Sequence, residues 1–178
     1  LHLCHHNLET IETTSMTTHK LLAEVCMAAK YEGQSISQNH GEHKGTNPDS
    51  KICTVLARSF ADIGDIIRRR DIFRGNDEEK KQRDQLEKNL KEIFKNIKEK
   101  NPELNKLKPE QVREYWWALN RDQVWEAITC GHPGGTYFRP TCGGDNESPS
   151  MAKNNCRCDG KDAHQVPTYF DYVPQYLR

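Results

Sequence analysis

Apolar residues recur with a three-four rhythm in four stretches of the chain, and this rhythm predicts four amphipathic helices. Leu21, Leu22, Val25, Cys26 and Ala29 predict the first over residues 17–31, with Thr17 or Thr18 as its N-cap. Ile52, Val55, Leu56, Phe60, Ile63 and Ile67 predict a second, from near Ser50 to somewhere in 70–75. Leu86, Leu90, Ile93, Phe94 and Ile97 mark a third over 77–100, opened by Asn76 or Asp77 and stopped by Pro102. Its first turn, Asp77-Glu78-Glu79, suits the positive end of a helix dipole. Val112, Tyr115, Trp116, Leu119, Val124 and Ile128 mark a fourth, which starts at Pro109 and stops at Cys130-Gly131. Residues 33–50 are polar and glycine-bearing, and read as a long exposed loop. Residues 131–162 carry glycines, prolines and three cysteines, directly after a fourth at Cys130, without an apolar period, so cross-links must order them. A last helix is expected to begin near Pro167. No stretch has a convincing strand period, which makes the fold class all-α, a helix bundle.

Composition sharpens this picture. Of the 178 residues, 34% are hydrophobic and 29% charged, and the mean hydropathy is -0.93, so the core is thin. A thin core calls for covalent staples, and seven cysteines are present: Cys4, Cys26, Cys53, Cys130, Cys142, Cys156 and Cys158. That usage is typical of secreted and surface proteins, and all seven are candidate disulfide cysteines. Cys156 and Cys158 stand one residue apart. In an extended segment such a pair points to opposite sides, so the two are expected to fasten different neighbours. Cys26 and Cys53 lie on consecutive helices, where a bond between them is geometrically possible. The odd count, the start at Leu1 and the end inside an aromatic run lead to the expectation that the chain is cut from a longer one, which holds the seventh partner.

The alternative for the same sulfurs is a zinc module built from Cys130, Cys142, Cys156 and Cys158, with His132 and His164 nearby. It lacks the two-residue knuckle of such modules. The remaining histidines are scattered in polar context; His40 and His43 suit a weak surface metal at most. No metal and no cofactor is expected. There is no nucleophile elbow, phosphate loop or metalloprotease histidine pair, so the chain reads as a binding protein and not an enzyme.

Lys+Arg and Asp+Glu are balanced at 26 each, which argues against nucleic acid as a partner. Local cationic patches remain. Lys88, Lys91, Lys95 and Lys98 form a row on the third helix, with Lys81 one or two turns before it. Arg68, Arg69, Arg70 and Arg74 cluster at the end of the second. Without Lys81, these eight arginines and lysines are the candidate glycan-binding residues. The bland reading of the lysine row is a solvated face laced with ion pairs such as Glu87–Lys91. Tyr115, Trp116, Trp117 and Trp125 are expected in the core, with the fourth helix packed on two sides. Asn146-Glu147-Ser148 fits a glycosylation acceptor.

Several blocks together resemble the α-class Duffy-binding-like domain of the erythrocyte membrane protein 1 family of the falciparum malaria parasite. The blocks are Thr18 to Cys26, Tyr31-Glu32-Gly33, Ala57-Arg58-Ser59-Phe60-Ala61-Asp62-Ile63-Gly64-Asp65-Ile66, Arg113-Glu114-Tyr115-Trp116-Trp117, Asn120 to Trp125, Tyr137 to Cys142 and Pro167 to Gln175. The family pattern usually has a glycine soon after Arg68, where this chain has Arg69-Arg70. The resemblance implies a disulfide-stapled helix bundle of the Duffy-binding-like fold, truncated before its third subdomain. It implies four segments: 1–16 as the end of a first subdomain, 17–130 as the bundle, 131–166 as a variable Cys/Gly-rich segment, and 167–178 as the start of a third-subdomain helix. It further implies an adhesion module of a variant surface antigen, active in cytoadhesion or rosetting. Its partners would be a host red-cell receptor or a sulfated or blood-group glycan, beside the adjacent domains of the parent chain. Its place would be the outer face of the infected red cell, held to the membrane only through that parent. The alternative is a scaffold and antigenic fragment without a complete ligand site.

Overall fold

The computed structural model describes residues 17–40, 48–72, 75–131, 141–143, 148–150, 152, 155–160 and 163–178. Four helices build it: α1 (Thr18–His40), α2 (Pro48–Ile67), α3 (Asp77–Lys100) and α4 (Pro109–Thr129). Among the described residues the extended structure is limited to one antiparallel bridge, Cys142 with Ser150. The predicted all-α class therefore holds.

Thr17 caps α1 by accepting from the Lys20 amide at 3.3 Å. The helix runs nine residues beyond the predicted end, because Gly33 does not stop it. A Cβ on Gly33 would lie 2.0 Å from the Ile128 carbonyl oxygen. Glycine at this position lets the α1 backbone approach α4 within a distance no side chain permits. Much of the predicted 33–50 loop is thus helix.

α2 is the central helix. Ile52, Leu56, Ala57, Ser59, Phe60, Ala61, Gly64, Asp65 and Ile67 are all buried, so it is covered on several sides. Val55, predicted for its apolar stripe, is exposed. Its end is a Schellman turn: the Arg70 amide reaches the Asp65 carbonyl and the Arg69 amide the Ile66 carbonyl. Arg69 sits in the left-handed position usually given to glycine, with φ 58°.

α3 has the predicted bounds, with Asn76 Oδ1 accepting from the Glu79 amide at 2.8 Å. A 3-10 turn over Pro102–Lys106 leads to α4, where the Lys108 amide donates to Gln111 Oε1. Of the aromatic cluster expected in the core, Trp116, Trp117 and Trp125 are buried, while Tyr115 faces away from the packed sides of α4 and is 56% exposed. Phe60 stands between the last two with centroids at 5.2 Å from each, and Phe94 meets Trp116 edge-on at 6.0 Å. Leu119, expected beside Trp116 in the core, is 60% exposed.

One disulfide binds the cysteine-rich segment to the bundle and a second closes a loop within the segment. Cys53 of α2 bonds Cys156, and Cys142 bonds Cys158. Neighbouring cysteines thus fasten different partners, as the one-residue spacing predicts. The sketched Cys26–Cys53 bond does not form, since Cys53 is taken; Cys26 and Cys130 carry free thiols. Cys4 lies outside the described residues. In place of the helix expected after Pro167, the chain makes two 3-10 turns, Phe170–Tyr172 and Gln175–Leu177.

Candidate functional site

The end of α2, one face of α3 and the start of α4 meet in a ladder of arginines. Arg113 of α4 is buried. Its guanidinium donates to the Ile67 carbonyl at 2.6 Å and the Ile66 carbonyl at 3.1 Å, which satisfies the open end of α2. The same group holds Glu87 of α3 bidentately at 2.7 and 3.0 Å. One side chain thus pins three helices.

Arg68 lies deeper. It is 5% exposed, and it donates to the Gly64 carbonyl, to Asp65 and to the Asp171 carbonyl. The Arg68 side chain also packs over the rings of Trp117 and Tyr172. Its charge is committed to fastening the 167–178 segment, so of the arginine triplet only Arg69 and Arg70 reach solvent. Arg70 pairs with Glu114. Arg69 makes one long contact, 3.5 Å to Glu87, with 66% of its side chain exposed. Arg74 lies outside the described residues, as do the glycosylation pattern's Asn146 and Glu147 and the side chains of His40, His43 and His132.

The lysine row differs from its bland reading. Glu87 faces Arg113 and Arg69, so the Glu87–Lys91 pair does not form. Lys88, Lys91, Lys95 and Lys98 pair with no carboxylate among the described residues. Spacings of three, four and three residues keep them on one face. A chain with zero formal net charge therefore presents a column of ammonium groups that make no ion pair among the described residues.

Beside this column a groove of ≈ 540 Å³ opens between α3 and α4. Phe94 and Val112 form its apolar depth and Pro109 one wall, while Lys91, Lys95 and Lys98 stand along its edge. The lysines are legible in the sequence; the groove and the Arg113–Glu87 pair beneath it are not. Phe94 was the available signal: it sits at the border between the apolar and the lysine stripes of α3.

A second polar centre was also missed. Asp171 is 1% exposed, accepts from Trp117 Nε1 at 2.9 Å, and is held by Arg121 at 2.7 and 2.8 Å. Nearby, Arg178 pairs with Asp62 and Asp65. Burial is the main reason that the Asp62 and Asp65 carboxyls are pushed above the usual aspartate range; Arg178 works against it.

The zinc alternative falls on the sulfurs themselves. Cys142, Cys156 and Cys158 are in disulfides and offer no thiolate to a metal. Cys26 lies on the α1 side facing Asp122 and Glu126; burial foremost, then these two carboxylates, pushes its thiol up to about 11. His164 is exposed and bonds Glu126.

Comparison with known proteins gives this arrangement its relatives. No curated protein sequence matches the chain. Among solved structures, the chain is 38% identical to the NTS-DBL1-alpha and CIDR-gamma double domain of the PfEMP1 protein from the Plasmodium falciparum varO strain. The TM-score is 0.78, over 99% of this chain and 25% of that one. It is 29% identical, with a TM-score of 0.62, to the DBLβ domain of a PfEMP1 protein bound to human ICAM-1, over 97% of this chain and 33% of that one. The chain thus spans a quarter to a third of these relatives' length. The Duffy binding domain model matches residues 1–178. The chain belongs to the Duffy binding domain family.

Proposed function

We propose that this chain is an adhesion module of a variant surface antigen. In this reading a longer, membrane-anchored parent displays it on the outer face of infected red cells, where it binds a host-cell receptor. The face that makes contact is the lysine column of α3 with Arg69, and the ligand it suits is an anionic one, a sulfated glycan foremost. The observation that carries the proposal is the contrast between paired and unpaired cations. The buried arginines are spent on carbonyls and carboxylates, while Lys88, Lys91, Lys95 and Lys98 have no carboxylate partner among the described residues. A closely spaced column of this kind attracts polyanions and releases them as salt rises. The relative bound to human ICAM-1 supports receptor binding as the general role.

Charge reversal at Lys91, Lys95 and Lys98, read by retention on immobilised heparin, tests the proposal. The side chains of Lys91 and Lys95 are exposed and that of Lys98 is half-buried, so the variant is expected to keep its fold, which its melting temperature checks. Retention of the wild type that falls with salt and is lost in the variant supports the reading. Equal retention of both removes this face. A wild type that is not retained at all favours the scaffold and antigenic role.

A further inference from the structure

A polysulfated sugar explains the lysine column but not the hollow beside it. The groove between α3 and α4 is floored by the side chains of Phe94 and Val112, each 3% exposed, and walled by Pro109. Its base presents no unmet polar group: the Arg113 guanidinium beneath it is filled by Glu87 and the α2 carbonyls, and lies over the Phe94 ring at 5.3 Å. A hydroxylated or sulfated ring placed there would exchange hydration for hydrocarbon. An apolar body loses only water. The volume, ≈ 540 Å³, is within the range of small-molecule sites. The edge is cationic. Of the cations that line it, Arg68 and Arg113 are buried and already paired, which leaves Arg69, Lys91, Lys95 and Lys98 against Glu99 and Glu110. Lys91, Lys95 and Lys98 pair with no described carboxylate, and the Arg69 contact to Glu87 can be released without exposing a buried charge, because Glu87 stays on Arg113.

We propose that this groove binds a small amphiphilic anion: a hydrocarbon or flat apolar body carrying one carboxylate or sulfate. The body lies on Phe94, Val112 and Pro109. The head group sits among Lys91, Lys95 and Arg69, where Arg69 is held over the groove by its left-handed turn. The inference rests on the reading of this face as an anion-binding one, but the two separate by experiment.

Monomeric dodecanoate, titrated calorimetrically into the whole chain, is the probe. Dodecyltrimethylammonium, with the same tail and the opposite charge, is the control. Pro109→Trp fills the groove from an exposed first-turn position and leaves every lysine in place. The expected result is a single site for dodecanoate, none for the cation, and at least tenfold weaker binding in Pro109→Trp and in Lys91→Glu/Lys95→Glu. Circular dichroism and melting of both variants should match the wild type. Dodecanoate binding that Pro109→Trp leaves unchanged overturns the groove, as does equal binding of the cationic tail. Retention of the wild type and Pro109→Trp alike on phosphatidylserine vesicles, without dodecanoate binding, marks a surface charge effect and also overturns it. Heparin retention with no dodecanoate site contradicts the groove alone. A dodecanoate site without heparin retention contradicts the glycan reading alone.

Discussion

Trp117 donates its indole N–H to Asp171 at 2.9 Å, across 54 residues of chain. The same carboxylate is held by Arg121, so α4 grips the 167–178 segment through one buried ion pair and one neutral donor. Asp171→Asn keeps the shape but leaves Arg121 without its counter-charge. Breaking a buried pair in this way costs about 3–5 kcal/mol. The expected outcome is a marked fall in melting temperature, and faster hydrogen exchange over residues 163–178 than elsewhere.

Two glycines fix how closely the helices approach. A Cβ on Gly33 would meet the Ile128 carbonyl oxygen at 2.0 Å, and one on Gly64 the Trp117 ring at 2.7 Å. Neither neighbour yields easily: the first is backbone, and the second is tied to Asp171. Gly33→Ala and Gly64→Ala are each expected to cost about 1–3 kcal/mol or more in chemical denaturation. Gly131→Ala meets only the flexible Gln34 side chain, at 3.3 Å, and is expected to change little.

The six described cysteines should sort into three classes under alkylation at pH 8, followed by peptide mass spectrometry. Cys130 is exposed and should label first. Cys26 should react at least tenfold more slowly, its thiol being half-buried and pushed up to about 11. Cys53, Cys142, Cys156 and Cys158 should label only after reduction. Reduction should also destabilise the fold. The Cys53–Cys156 bond closes a separation of 103 residues, and a loop of that size is worth about 4–5 kcal/mol.

Acid should treat the Asp62–Asp65–Arg178 cluster differently from an ordinary ion pair. Burial raises both carboxyl values, so the folded chain takes up protons more readily there than the unfolded one. The stability these groups contribute is complete below about pH 4, the ordinary aspartate value, and is lost as pH rises through the raised values. The stability of the wild type relative to Asp62→Asn should therefore fall as pH rises through that window. A rise would mean that the Arg178 pairing outweighs burial.

How much of this was legible in the sequence depends on the range of each interaction. α3 was read to the residue because its stops are local, the Asn76 cap and Pro102. α1 was cut short because Gly33 looks like a breaker, and only the presence of α4 reveals it as a point of close approach. Periodicity alone places Leu119 in the core, yet the partners of α4 cover its Trp116 and Trp117 sides and leave Leu119 bare. The lysine row was visible as spacing, but that it lies unpaired was not, because Glu87 is claimed by Arg113 from another helix. Arg68 looked like part of a surface patch for the same reason: its partner Asp171 stands about a hundred residues away in sequence. The family blocks, by contrast, were legible across nearly the whole chain.

Adhesion through the α3 face is the claim on which the functional reading rests. Flow cytometry of the labelled chain on uninfected red cells, comparing wild type with Lys91→Glu/Lys95→Glu/Lys98→Glu at equal melting temperature, tests it most directly. The account expects salt-sensitive binding of the wild type and at least a tenfold loss in the variant. Undiminished binding by the variant would contradict it.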